Sequence, residues 1–381
     1  MRFSVLLPTR NGAPYLHDAI ASVLDQPYRD MELVVSDNAS DPETQAIVSR
    51  FADDTRLKYL RLDHPVTVTE NWNSALHASC GEYVVMIGDD DCLLPNFFER
   101  LEATIARHNQ PECITYNGFT FVLPKSVSGQ PDGYIADRHF RFGPEYRPDH
   151  ELSTELRLEL VRQMFKFKVR FPLNMQLTLF ARRAAETIRG GTFRPPFPDH
   201  YALNSLLLLA DRFVYIPDQL VVVGISPKSF GHYYYGDQQQ AGAQYLGLER
   251  PADGRLPGSD LLNCMREWLG LLKREYPEYL GEVEIDSWNY VGRQVYHWMR
   301  DFEFGLLSVS ELAQRVGLLS WADRVTFLLP LLAYRSALRG LRIVGLRRTE
   351  RFADMWPALR PLRGVDSMRD FLSWIDDHEV I

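Results

Sequence analysis

The chain begins with a short apolar run, "FSVLL" over residues 3–7, that stops at Pro8. A short, mostly apolar run of this kind predicts a strand buried in a parallel sheet. In "TRNGAPYLHDAIASVLDQ", Leu16, Ile20, Val23 and Leu24 recur at helical spacing behind an Asn-Gly-Ala-Pro turn, which predicts a helix. The alternation then repeats. "MELVVSDNAS" is a second strand running into a polar loop, and Asp41-Pro42-Glu43 starts a helix through about Phe51. "LKYLRL" predicts a third strand, and "VTENWNSALHAS" a helix ended by Cys80-Gly81. "EYVVMIG" is a fourth strand and "PNFFERLEATIARH" a further helix.

Alternating strands and helices imply an α/β domain with a mostly parallel, Rossmann-like sheet flanked by helices. In such sheets ligands bind beyond the carboxyl ends of the strands. The loops "PTRNG", "SDNAS" and "GDDD" all follow strands, so they are expected to gather on one edge. Beyond them the pattern loosens. "CITYNGFTFVL" reads as strand, residues 124–150 as a long Gly-, Pro- and Asp-rich loop, and "STELRLELVRQMFKFKV" as a helix. "FPLNMQLTLFARRAAETI" returns to strand and helix, "FRPPFPDHYALNSLLLLA" puts a Pro-rich loop before a helix, and "FVYIPDQLVVVGIS" reads as two strands. After the Gln/Gly/Ala-rich stretch near Gln240 the pattern becomes amphipathic and helical.

The totals narrow the function. The 381 residues carry a formal net charge of −8, which argues against nucleic-acid binding. None of the four cysteines shares a CxxC spacing, so neither a disulfide scaffold nor a zinc site is expected, and a reducing compartment fits. The first apolar run is too short for the core of a signal peptide. No stretch approaches the ~20 apolar residues of a membrane span; "VTFLLPLLAY" is interrupted by Pro330. These features predict a cytoplasmic protein that touches a membrane at most peripherally, at its inner face.

The chemistry concentrates in "YVVMIGDDDCLLP". Adjacent acids at a strand end attract a hard divalent cation, Mg²⁺ or Mn²⁺, which takes one or two carboxylates and completes its shell with phosphate oxygens. A solvated turn that caps the next helix is the plainer alternative. Asp37, closing the second strand, is placed either to accept a hydrogen bond from the ring N–H of a base such as uracil or to make an Asx turn. Thr9 and Asn11 stand where a nucleoside would lie.

Together, "SVLLPTRNG", "ELVVSDNASD" and "NWNSALHASCGEYVVMIGDDDCLLPNFFERL" resemble the nucleotide-sugar-binding half of family 2 glycosyltransferases, which have the GT-A fold. The resemblance is close over residues 3–101 and looser to about residue 230. It implies that Pro8, Thr9 and Asn11 line the nucleoside pocket, that Asp37 contacts the base and that Asp89 lies near the ribose and diphosphate. Asp90 takes the part of the metal-binding acid of a DxD-type motif. Gly88 stands where many relatives have an acid, and Arg10 where many have an aromatic. The part of Asp91 is left open: it is placed to cap the helix that begins near Pro95, and it is expected to be the acid least costly to lose.

An inverting transfer also needs a base on the acceptor hydroxyl. In the family this acid commonly opens a helix in the second half; Asp199 matches that place, with Pro198 replacing the usual first acid and His200 adjacent. Lys228 and His232 are expected near the diphosphate, His232 also as a metal contact, and Tyr233, Tyr234 and Tyr235 near an acceptor sugar or in packing. Asn71 or Asn73 closes the donor pocket, with Trp72 in the core. The resemblance thus implies a GT-A catalytic domain over residues 1–240 and a mostly helical region, 241–381, for acceptor, homo-oligomer or membrane-surface contact. The mixed Leu and Arg pattern of "WADRVTFLLPLLAYRSALRGLRIVGLRR" suits an anionic membrane surface, a partner or ordinary packing. The expected activity is transfer from a UDP- or dTDP-linked sugar to a glycan or lipid-linked acceptor. Two rivals are a nucleotidyltransferase, which would want a basic Gly-rich loop near the first strand, and a non-catalytic nucleotide-sugar-binding protein.

Overall fold

The computed structural model describes residues 1–126, 131–229, 246, 255–303, 305–328 and 359–378. His232, Tyr233–Tyr235, the boundary near Gln240 and residues 329–358 of the Leu/Arg-rich stretch lie outside the described residues.

Four parallel strands form the frame: β1 (Phe3–Thr9), β2 (Met31–Asp37), β3 (Leu57–Arg61) and β4 (Tyr83–Met86), in the spatial order β4-β1-β2-β3. The helices α1 (Ala13–Leu24), α2 (Pro42–Ser49) and α3 (Val68–Ala78) connect them. Successive strand side chains point to opposite faces. Leu6, Val34, Val84 and Met86 accordingly enter one core, while Phe3, Val5, Leu7, Leu33, Val35 and Val85 enter another with Leu16 and Ile20 of α1. Burial on both faces is why β1, β2 and β4 read as mostly apolar runs, whereas β3 is only partly buried. The α3 helix starts at a capping box in which Thr67 and Glu70 satisfy each other's backbone amides.

The chain continues through β5 (Cys92–Leu93), α4 (Phe97–Arg107), β6 (Cys113–Val122), β7 (Gly133–Ala136), β8 (His150–Glu151), α5 (Thr154–Phe165), β9 (Thr178–Ala181), α6 (Arg182–Glu186), α7 (Pro198–Leu209) and β10 (Phe213–Ile225). β9 joins β4 to β6 by antiparallel pairing on both sides, so the sheet is mixed beyond β4. Where the pattern suggested two strands, β10 is one continuous strand. Pro217 lacks an amide hydrogen, and register shifts between Tyr215 and Val221 take up the irregularity while β10 keeps its pairing with β6.

After residue 255 come α8 (Asp260–Glu275), α9 (Pro277–Leu280), α10 (Ser287–Glu303), α11 (Val309–Gly317) and α12 (Trp321–Asp323), which runs into a π-helical stretch, Arg324–Leu328. Trp268, Leu269 and Leu272 of α8 share a core with Leu160 and Met164 of α5 and Leu206 of α7. The last described residues return to the sheet. β11 (Arg360–Leu362) pairs antiparallel with β7, and α13 (Met368–Asp377) lays Phe371 on Phe121 of β6, stacked at 4.4 Å. No helix among the described residues is long and apolar enough to cross a membrane.

Candidate active site

The carboxyl ends of β1, β2 and β4 meet, as parallel pairing requires. Thr9 stands opposite Asp37 in the β1–β2 register. Its buried hydroxyl donates to Asp89 Oδ2 at 2.5 Å, linking the end of β1 to the loop after β4. Gly12 permits this closeness, because a Cβ there would fall 2.2 Å from Asp89 Oδ2 and 2.3 Å from Thr9 Oγ1. Asn11, at φ 56°, ties two loops together. Its amide donates to Ser40 Oγ at 2.8 Å, and its side-chain oxygen accepts from the Asp41 amide at 2.9 Å. Lys228 reaches across from the loop after β10 and donates to the Asn11 carbonyl. Pro8, opposite Ser36, is half-buried beside them.

Two residues expected to face a nucleoside are engaged inside the protein instead. Asp37 is fully buried: Oδ1 accepts from the Ser40 amide at 2.8 Å, and Oδ2 accepts from Tyr59 at 2.5 Å and from the Arg61 guanidinium at 2.7 Å. The Arg61 side chain, 38% exposed, is the outward-facing member of that cluster. Asn71 is buried with its amide against Ser36, accepting from the hydroxyl at 2.7 Å, so it braces the end of β2. Asn73 donates to the Phe193 carbonyl at 3.0 Å, and Trp72 packs edge-on to the Phe193 ring.

The three aspartates are not equivalent. Asp89 and Asp90 are half-buried, and Asp91 is 1% exposed. Asp90 Oδ2 accepts from the Ser226 amide at 3.2 Å and from the Ser229 hydroxyl. Asp91 Oδ2 accepts from the Gly88 amide at 2.6 Å and from Gln176 at 2.8 Å, while Oδ1 accepts from the Gly224 amide at 2.8 Å. Asp91 is therefore the structural member of the run. It does not cap α4, whose N-cap is Asn96, and the expectation that it would be the least costly to lose is corrected by its three donors. Burial, then the charge of Asp90, raise the pKa of both Asp89 and Asp91, partly offset at Asp89 by Thr9 and Lys228.

Among the described residues, no three His, Cys, Asp or Glu side chains converge into a preformed metal cage. The Asp89–Asp90 pair fits a different arrangement. Two close carboxylates, one with its ionisation opposed by burial and by its neighbour, suit a hard dication whose remaining ligands are phosphate oxygens and water.

Asp199 lies in the first turn of α7, and its Oδ1 accepts from the His200 amide at 2.9 Å. Burial, with no charged partner contributing, pushes its pKa up to about 7. His200 packs between Phe197, stacked at 4.7 Å, and the edge of Trp268. Burial lowers its pKa to about 3, and its Nδ1 is buried without a partner, so it sits as a neutral packed ring. Of the neighbouring pair, Asp199 is thus the group that changes protonation near neutral pH.

Sequence reasoning missed Gln176, Tyr59, Arg61 and Ser229. Each reaches its aspartate from a distant part of the chain or the next strand, and no local spacing announces it. Ser226 had a signal, its place directly after β10.

Residues 4–150 match the family model described as Glycosyl transferase family 2. Over 95 residues the chain is 37% identical to a GalNAc(5)-diNAcBac-PP-undecaprenol β-1,3-glucosyltransferase of Campylobacter jejuni, a match covering 24% of this chain and 31% of that one. It is 26% identical over 127 residues to the UDP-Glc:α-D-GlcNAc-diphosphoundecaprenol β-1,3-glucosyltransferase WfgD of Escherichia coli, covering 33% and 49%. Either match thus spans less than half of the relative. The crystal structure of Staphylococcus aureus TarS 1-349 in complex with UDP-GlcNAc aligns at a TM-score of 0.45 with 17% identity, over 77% of this chain and 81% of that one.

Proposed function

On the premise that residues 4–150 belong to glycosyl transferase family 2, we propose that this glycosyltransferase moves a sugar from a UDP- or dTDP-linked donor to a hydroxyl of a lipid-linked glycan, with inversion at the anomeric carbon. The observation that carries the reading is the Asp89–Asp90 pair at the ends of β1 and β4, joined to the nucleoside-side loop through Thr9. The named acceptors of the two glucosyltransferase relatives, both undecaprenyl-diphosphate-linked, support a polyprenyl-linked acceptor.

In this reading the loops after β1 and β2 hold the nucleoside. Thr9 and Asn11 shape its floor, and Asp37 fixes Arg61 and Tyr59 at the base edge. Asp89 faces the ribose and diphosphate. Asp90, oriented by Ser226 and Ser229, is the metal-binding acid, with Asp89 beside it. A bound Mn²⁺ or Mg²⁺ would supply charge for the departing nucleoside diphosphate. Lys228 adds positive charge on the same side. Asp199 accepts the proton of the acceptor hydroxyl as its oxygen attacks C1 from the face opposite the leaving group. His232, outside the described residues, is retained as a candidate further contact to metal or diphosphate, and residues 241–381 as the region for acceptor, oligomer or membrane contact. Exposed Trp288 and Trp321 on helices and Leu318 just after α11 suit a peripheral position at the inner face of a membrane.

The test is product analysis with a UDP-sugar, Mn²⁺ and an undecaprenyl-diphosphate-linked saccharide. Release of one UDP per glycosidic bond supports the proposal. Pyrophosphate release in a parallel incubation with UTP and a sugar 1-phosphate would replace it with nucleotidyl transfer, and UDP binding without turnover on any such acceptor would point to a binding protein.

A further inference from the structure

We propose that α13 is a positioning element of the donor site and that Met368 helps hold the turn carrying Asp90 against β10. The inference rests on the functional reading above for what Asp90 binds. Three chain segments meet at Gly224 of β10. A Cβ at Gly224 would stand 1.7 Å from the Asp90 carbonyl oxygen and 3.1 Å from Met368 Cε. The backbone carrying Asp90 is thus pressed against β10, and the buried Met368 packs beside it on the same face of that glycine. The Gly224 amide donates to Asp91, and two residues on the Ser226 amide donates to Asp90. A movement of β10 at Gly224 therefore reaches both carboxylates. A cavity of about 70 Å³ runs between the two regions, with Tyr15, Asp90, Asp91, Leu123, Asp366 and Met368 in its wall.

The helix is anchored independently of Met368. Asp18 of α1 accepts from the Arg369 amide at 3.2 Å, where a carboxylate suits the positive end of a helix. Ser367 and Asp370 form a capping box. Phe371 stacks on Phe121, and β11 extends the sheet through β7. The tail can therefore transmit rigidity to a pair of carboxylates whose mutual repulsion favours drifting apart before a cation arrives. A site of that kind needs backing by packed side chains.

The experiment compares the full chain with Met368→Ala, Met368→Val, Met368→Leu and the exposed control Asp376→Ala. UDP affinity is measured by calorimetry with and without Mn²⁺, alongside thermal unfolding without ligand. Met368→Ala is expected to weaken Mn²⁺-dependent UDP binding by about tenfold or more, the scale of losses when support around a metal ligand is removed. Metal-free UDP binding should change far less. Met368→Leu should restore affinity to within about twofold of the parent, and Asp376→Ala should match it. If Met368→Ala fails to fold, Met368→Val carries the test with an intermediate loss. Parent-like Mn²⁺-dependent affinity in a folded Ala or Val variant overturns the inference while leaving the proposed function standing. Absence of Mn²⁺-dependent UDP binding in the parent chain overturns the metal-dependent reading and this inference with it.

Discussion

The hydroxyl of Thr9 donates to Asp89 Oδ2 at 2.5 Å, so the end of β1 and the loop after β4 act as one surface. Thr9 is buried, and its hydroxyl adds a donor to a carboxylate whose ionisation burial opposes. Thr9→Val keeps the shape and removes the donor. The loss of one such hydrogen bond is worth about 1 kcal/mol. UDP affinity in the presence of Mn²⁺ is therefore expected to fall about fivefold by calorimetry, and an unchanged affinity would detach Thr9 from the donor site.

Asp91 joins three segments through Gly88, Gln176 and Gly224. Asp91→Ala strands these donors in a buried place, at a cost of about 2–4 kcal/mol. A matching drop in the denaturant-unfolding free energy is expected, with Asp91→Asn milder because it keeps one acceptor. Stability within about 0.5 kcal/mol of the parent for Asp91→Ala, the range of an ordinary surface substitution, would show that the three contacts do not hold in solution.

Asp199→Asn is expected to retain UDP binding and to lose at least ~100-fold in transfer rate, the lower end for removal of a general base. The raised pKa fixes the sign of the pH dependence. Below about 7 Asp199 is mostly protonated and cannot accept a proton, so transfer should rise with pH through neutrality and then level. The same shift has a stability consequence. The native state binds the Asp199 proton more tightly than the unfolded chain does, so stability is lost as pH rises through about 7. Asp199→Asn should therefore raise the thermal midpoint more at pH 8 than at pH 5. Normal transfer by the Asn variant would assign the base to another residue.

The sequence made the frame legible because its physics is local. Burial on both faces makes β1, β2 and β4 mostly apolar runs, and parallel pairing then places Thr9, Asp37 and Asp89 at one edge. The structural part of Asp91 was not legible, because Gly224 and Gln176 lie 133 and 85 residues from it. The inward commitment of Asp37 was hidden for a similar reason, since Arg61 and Tyr59 act from the neighbouring strand. β11 is three residues long and includes Pro361, too short for any periodicity to mark its return to the sheet. The break that Pro217 suggested in β10 was absorbed by register shifts that only the pairing with β6 reveals.

The most direct measurement is equilibrium binding of UDP to the full chain and to Asp90→Ala, each with and without Mn²⁺. Mn²⁺ is expected to tighten UDP binding to the parent chain and to have no such effect on Asp90→Ala. Metal-independent binding by the parent, or a parent-like Mn²⁺ effect in Asp90→Ala, would contradict it.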